Sequence, residues 1–143
     1  MTILTPSLED YLEELYRFSL SSDSVRVTDI SHKLAVSLPS VSKALHKLKK
    51  GEFITYQRYG EIILTEKGKQ LGDFLVKRNQ VLQEFLILIQ TNCDIVAEAE
   101  AMEHYLSDTT IRSIQAIVTF LKHNPEWHRI LLEHIVSSSK TES

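Results

Sequence analysis

The run VTDISHKLAVSLPSVSKALHKLKKGEF, residues 27–53, constrains what this chain can fold into more than any other stretch. Thr28 is a good N-cap, and Ile30, Leu34 and Ala35 follow in helical phase, which predicts a short helix over about 28–35. Ser37 can cap a second helix, with Pro39 in the first turn, where its missing amide hydrogen costs nothing. Val41, Ala44, Leu45 and Leu48 form the buried stripe of that helix, and Gly51 ends it. Two short helices joined by a tight turn make a helix-turn-helix. FITYQ and EIILT follow, two β-rich runs separated by Arg58, Tyr59 and Gly60, and they read as a hairpin with glycine in its turn. Thr65 then caps the next helix. A helix-turn-helix followed directly by a hairpin is a winged-helix pattern.

Charge supports a polyanionic partner for this part. Residues 26–69 hold nine Lys and Arg against four acidic residues, a local charge of +5 in a chain whose net charge is -3. The outward face of the second helix offers Ser40, Lys43, His46 and Lys47, with Pro39 and Ser42 at its edges. Short hydroxyls and a lysine near a helix N-terminus can approach base edges in the major groove of double-stranded DNA. Lys47, Lys49, Lys50 and Arg58 can neutralise phosphates. A plain helical hairpin with a solvated lysine face is the alternative; helices, wing and charge together favour DNA.

Beyond the wing the pattern is helical. A first helix begins at Ser7, with Leu8, Tyr11, Leu12, Leu15 and Tyr16 on its apolar side and Asp10 and Glu13 sharing a face beside it. Asp10 lies three residues after Ser7, so a capping box is a second reading of it. A long helix over about Glu66–Gln90 has Leu71, Leu75, Leu82, Phe85, Leu86 and Ile89 at core positions, interrupted by Lys77, Arg78 and Asn79. Further helices are expected near 94–105, over Asp108–Lys122 and over Trp127–Val136, and the tail SSSKTES reads as disordered. These helices hold more Leu, Ile, Val and Phe than a small subdomain can bury alone, which predicts a two-fold homodimer.

Within AEAEAMEHYL, residues 97–106, Glu100, Glu103 and His104 fall at i, i+3 and i+4 and face one direction. Three ligand-type side chains on one helical face make half of a metal site, with Asp10 and Glu13 as the obvious second contributors. Carboxylates with one imidazole suit Mn²⁺ or Fe²⁺. A solvated acidic face is the competing reading, and spacing alone favours it over a metal site. His123, His128 and His134 share no helical face. One cysteine, Cys93, excludes an internal disulfide and a multi-cysteine zinc site, and it reads as an inert small side chain. Without a Ser/His/Asp set, a Gly-rich phosphate loop or an HExxH, the chain is not expected to be an enzyme. No stretch reaches transmembrane length and no signal peptide is evident, so no membrane partner is expected and the default location is cytoplasmic.

The landmarks TPSLEDYLEELY, VRVTDISHKLAVSLPSVSKALHKL, LTEKGK, LVKRNQVLQEFL and EAEAMEHYLS, in that order, resemble the manganese-responsive transport regulators of the diphtheria-toxin-repressor family. The resemblance implies a mainly α fold: an N-terminal winged helix-turn-helix with a two-stranded wing, and an all-helical C-terminal dimerisation domain. The divisions expected are 1–70 for DNA binding, 71–136 for metal binding and dimerisation, and 137–143 as a flexible tail. The implied function is metal-responsive repression of metal-uptake genes through a pseudo-palindromic operator. The implied metal ligands fall on Asp10, Glu13, Glu100, Glu103 and His104. One position departs: where such regulators have a histidine on the long helix, this sequence has Asn79. Its amide oxygen is a neutral but poorer ligand. Mn²⁺ is the expected metal, with Fe²⁺, Co²⁺ and Zn²⁺ as substitutes, and the alternative is a DNA-binding regulator whose metal control is lost or altered at Asn79.

Overall fold

The computed structural model describes residues 4–22, 24–56 and 60–141. Among them are seven helices and one antiparallel hairpin: α1 (Pro6–Ser21), α2 (Val27–Leu34), α3 (Leu38–Lys50), β1 (Ile54–Tyr56), β2 (Ile62–Leu64), α4 (Glu66–Leu88), α5 (Ile95–Tyr105), α6 (Asp108–His123) and α7 (Pro125–Thr141). The expected mainly α fold with a winged helix and a helical C-terminal part is what the chain adopts. It forms two compact units, residues 1–76 and 77–143, with the boundary inside α4.

The first unit is built on leucine-rich helical stripes closed by the hairpin. Leu12, Leu15, Ile30, Val41, Leu45, Leu48, Ile54 and Leu75 are essentially inaccessible to water and form one core with Phe53, Ile62 and Leu64. Each such side chain contributes about 1.5–3 kcal/mol of transfer free energy. The α3 stripe of Val41, Ala44, Leu45 and Leu48 is buried as its spacing predicts. Ser37 caps α3 by accepting the Ser40 amide at 3.3 Å, and Gly51 is its C-cap. In the wing Ile54 pairs with Leu64 and Tyr56 with Ile62, while Val25 bridges to Ile62 as a third short edge. Gly60 lies at φ +76°, the left-handed region that favours glycine.

Several helix ends differ from the sequence reading. Helix α1 starts at Pro6, because Thr5 rather than Ser7 accepts the Leu8 amide, at 3.3 Å. The Ser7–Asp10 capping box therefore does not form. Helix α2 starts at Val27 rather than Thr28, because the Asp29 carboxylate accepts the Arg26 amide at 2.9 Å. Ala35, expected inside α2, instead ends it in the left-handed conformation at φ 52°. Helix α4 stops at Leu88, two residues before Gln90, which has φ 55°.

The second unit packs Leu82 and Leu86 of α4 against Ala99 of α5 and Ile111 of α6, with Phe85, Ile95, Met102 and Ile114 around them. Ser107 caps α6 and Asp94 caps α5. Helix α7 begins at Pro125, two residues before Trp127, and runs to Thr141, past the expected end at Val136. The stretch 137–141 is thus helical and not a disordered tail. Ser137, Ser138 and Ser139 each donate a hydroxyl to the carbonyl four residues back, at 2.9–3.0 Å, which lets these polar residues continue the helix.

Candidate functional site

In the first unit, α3 presents an open polar face. Pro39, Ser40, Ser42, Lys43, His46, Lys47, Lys49 and Lys50 are all exposed, opposite the buried stripe. The Ser37 and Ser40 hydroxyls bond each other at 2.8 Å, which fixes the helix start. Lys49 places its ammonium 5.3 Å from the ring centroid of Tyr56 on β1, a cation–π contact between recognition helix and wing. Arg58, the expected phosphate contact at the wing tip, lies outside the described residues. The face is suited to a polyanion: lysines for phosphates, with short hydroxyls and an imidazole for base edges.

Helix α1 carries two candidate ligands of the same unit. Asp10 is half-buried, and Glu13, one turn on, is only 6% exposed. Arg17 approaches Glu13 to 3.6 Å and Glu14 to 3.5 Å. A buried carboxylate among Tyr11, Leu12 and Leu15 needs compensating positive charge, protons or a cation, since desolvating an ion costs several kcal/mol even after relaxation.

In the second unit α5 supplies the most enclosed candidate. Glu103 is 2% exposed, and its Oε1 lies 3.5 Å from Nε2 of the half-buried His104. Glu100, the third residue of the expected face, is exposed. It lies one turn before Glu103 on a short helix whose buried residues are Ala99 and Glu103. Asn79 on α4 is half-buried, and its Oδ1 accepts the Gln83 Nε2 at 2.7 Å. That leaves one lone pair on the amide oxygen. The sequence reading missed Gln83, although its i, i+4 spacing from Asn79 is visible in the sequence. Arg78, which interrupts the apolar stripe of α4, is 5% exposed.

Cys93 sits beside Asp94 at the start of α5. Partial desolvation, then the charges of Glu98 and Asp94, push its thiol above its ordinary range, which keeps thiolate scarce. This agrees with an inert side chain. Among the described residues no helix is long and apolar enough to cross a membrane.

Residues 3–62 match "Iron dependent repressor, N-terminal DNA binding domain", and residues 65–132 match "Iron dependent repressor, metal binding and dimerisation domain". The chain belongs to the iron-dependent repressor family. Within it, the chain is 40% identical to the HTH-type transcriptional regulator MntR of Bacillus pumilus, over 85% of each chain. It is 38% identical to the MntR of Listeria innocua, over 90% of this chain and 92% of that one. Among solved structures, that of the manganese regulator SloR superposes with a TM-score of 0.71 at 28% identity, covering 82% of this chain. The present chain matches only 55% of the SloR chain's length. The iron-dependent repressor family is one of transcriptional regulators, not enzymes, and the division of its two descriptions, between residues 62 and 65, falls at β2 of the present fold.

Proposed function

We propose that this protein is a divalent-metal-responsive transcriptional regulator, a cytoplasmic repressor of metal-uptake genes that binds pseudo-palindromic double-stranded DNA as a homodimer. The observation that carries the metal part is a nearly inaccessible carboxylate, Glu103, abutting the His104 imidazole on α5. Ala99 and Met102 of the same helix pack into apolar core, so Glu103 stands where a hydrophobic residue would ordinarily be. Oxygen donors with one imidazole fit a first-row divalent ion better than they fit Cu⁺, and the imidazole adds preference over Mg²⁺ or Ca²⁺.

In this reading Asp10, Glu13, Asn79, Glu100, Glu103 and His104 hold the ion. Mn²⁺ is the proposed effector, and Fe²⁺, Co²⁺ or Zn²⁺ can substitute. The ion supplies positive charge to carboxylates that would otherwise repel one another. Asn79, already accepting from Gln83, contributes less than an imidazole would.

The DNA contacts proposed are Pro39, Ser40, Ser42, Lys43 and His46 toward base edges and Lys47, Lys49, Lys50 and Arg58 toward phosphates. Dimerisation is supported by the apolar faces of α6 and α7. Ile117, Phe120, Trp127 and Ile130 are 42–57% exposed, and α7 has no buried residue in the isolated chain. A second copy covering this face would set two α3 helices at a fixed spacing for two half-sites.

Calorimetry on the wild-type chain and on Glu103→Gln tests the metal part. Heat of binding is expected with Mn²⁺ and the substitute ions in the wild type and its loss in the variant. No heat with any of the four ions in the wild type would remove the metal from the proposal.

A further inference from the structure

Beside strand β2 the first unit holds a cavity of about 150 Å³. Its walls are the end of α1, the short edge at Val25, β2 itself and the first turns of α4, all within residues 1–76. The floor is apolar: Leu15, Val25, Ile62 and Leu64 line it, and all four belong to the buried core. The rim is polar, made by Ser19, Ser22 and Lys69.

The rim has a defined polarity. The Ser19 hydroxyl donates to the Tyr16 carbonyl at 2.5 Å, and the Ser22 hydroxyl donates to the Ser24 carbonyl at 3.0 Å. A hydroxyl has one proton, so these two oxygens offer a ligand lone pairs. The Ser22 oxygen also accepts the Ser24 amide at 3.4 Å, which leaves it one. Lys69 has the opposite character, because an ammonium is a donor only. Lys67, two residues earlier, is engaged by the Gly51 carbonyl at 2.8 Å and by the Phe53 ring. Among the described residues Lys69 has no such side-chain partner.

A matching molecule carries a carboxylate for Lys69, a hydrogen-bond donor beside it for the serine oxygens, and a short apolar remainder for the floor. The volume limits it to about six non-hydrogen atoms, since an apolar cavity of about 150 Å³ holds a benzene. Inorganic phosphate suits Lys69 but loses hydration against the four apolar side chains. A plain short-chain carboxylate leaves the serine oxygens without a donor. A small α-hydroxy or α-amino acid meets all these demands. We propose that the cavity is a binding site for a small carboxylate with a donor on its α-carbon, an input separate from metal and DNA. Its occupant joins Lys69, the end of α1 and β2, and so braces the base of the wing. The Ile62 amide, which donates to the Val25 carbonyl at 3.0 Å, lies in the braced wall.

The test is methyl and amide NMR on the full chain, titrated in turn with L-lactate, L-alanine, propionate, lactamide and inorganic phosphate. L-lactate or L-alanine should shift the methyls of Leu15, Val25, Ile62 and Leu64 saturably, and leave those of Leu82 and Leu86 in the second unit unmoved. The tighter of the two identifies the donor as hydroxyl or ammonium. Amide exchange at Ile62 should slow in the complex. Propionate and lactamide each lack one polar partner and should bind about tenfold more weakly. Lys69 is exposed, so Lys69→Met and Lys69→Arg should both fold. Lys69→Met should weaken binding by about tenfold, and Lys69→Arg, which keeps the charge-assisted donor, should retain it. Ser19→Leu puts a side chain into the cavity and should abolish binding; if it does not fold, the Lys69 pair decides.

Shifts that do not saturate with either acid overturn the proposal. So does undiminished binding in Lys69→Met. Phosphate or propionate binding as tightly as the better acid also overturns it, and would make Lys69 an ordinary solvated cation. None of these outcomes bears on metal or DNA binding, so the proposed function is tested separately.

Discussion

His128 in the first turns of α7 donates from Nε2 to the main-chain oxygen of Leu88, the last residue of α4, at 2.7 Å. The carbonyls at a helix C-terminus have no partner within their own helix, so the imidazole satisfies one of them from a neighbouring element. The bond fixes where α7 starts across the end of α4. Removing it leaves a half-buried carbonyl to water and loosens α7. His128→Ala should lower the urea unfolding free energy by roughly 1 kcal/mol, the net worth of such a bond. Hydrogen exchange should quicken in α7 first. Unchanged stability and exchange would show that the bond contributes nothing.

The lysines of α3 provide the next prediction. Lys43 and Lys47 are exposed and lie off the buried stripe, so alanine at either should leave thermal stability unchanged. Each variant should weaken DNA binding, and Lys47→Ala should do so across all sequences and reduce the salt slope by about one unit, as expected when one phosphate contact is lost. Equal affinities and slopes for both variants and the wild type, over a salt series, would exclude this face of α3 from the interface.

What could be read from the sequence follows from how local each signal is. The α3 stripe, its Ser37 cap and its Gly51 stop are determined within 15 residues, and all were legible. The wing was legible because β-rich runs flank a glycine that adopts φ +76°. The start of α2 was not, because Asp29 caps the Arg26 amide from inside the helix. Its end was hidden because Ala35 takes the left-handed conformation with no glycine to mark it. For the candidate site, spacing put Glu100, Glu103 and His104 on one face but could not distinguish an exposed Glu100 from a buried Glu103. Burial depends on neighbours far away in sequence. The glycines at 68 and 72 were legible as residues and illegible in purpose, since the Phe53 and Tyr16 contacts that require them are made only in the fold.

The α6–α7 apolar face predicts an oligomer. Ile130 is 42% exposed and shares a groove with Phe120, Leu121, Trp127 and Leu131. Ile130→Glu should convert a dimer to monomer in sedimentation at micromolar concentration. It should weaken binding to a two-half-site duplex far more than to a single half-site, because the second half-site gains only when the two copies are joined. A wild-type monomer under the same conditions would contradict the assignment of this face.

Asn79 offers a gain-of-function prediction. Asn79→His exchanges an amide oxygen for an imidazole and removes the acceptor of Gln83. Mn²⁺ affinity should rise about tenfold or more, corresponding to at least 1.4 kcal/mol of added ligand strength. Titration calorimetry reads this directly. An unchanged or weakened Mn²⁺ affinity would place position 79 outside the metal's reach.

The central claim is that a divalent ion switches DNA binding on. It is tested most directly by titrating Mn²⁺ into the chelator-treated protein in the presence of a labelled, selected duplex, with fluorescence anisotropy as the readout. The account predicts weak binding in chelator, saturable tightening with Mn²⁺ and reversal on renewed chelation, with Glu103→Gln remaining at the chelator level throughout. Identical DNA affinity with Mn²⁺ and with chelator in the wild type would contradict it, and would leave a DNA-binding protein held in one state by buried charges such as Arg78.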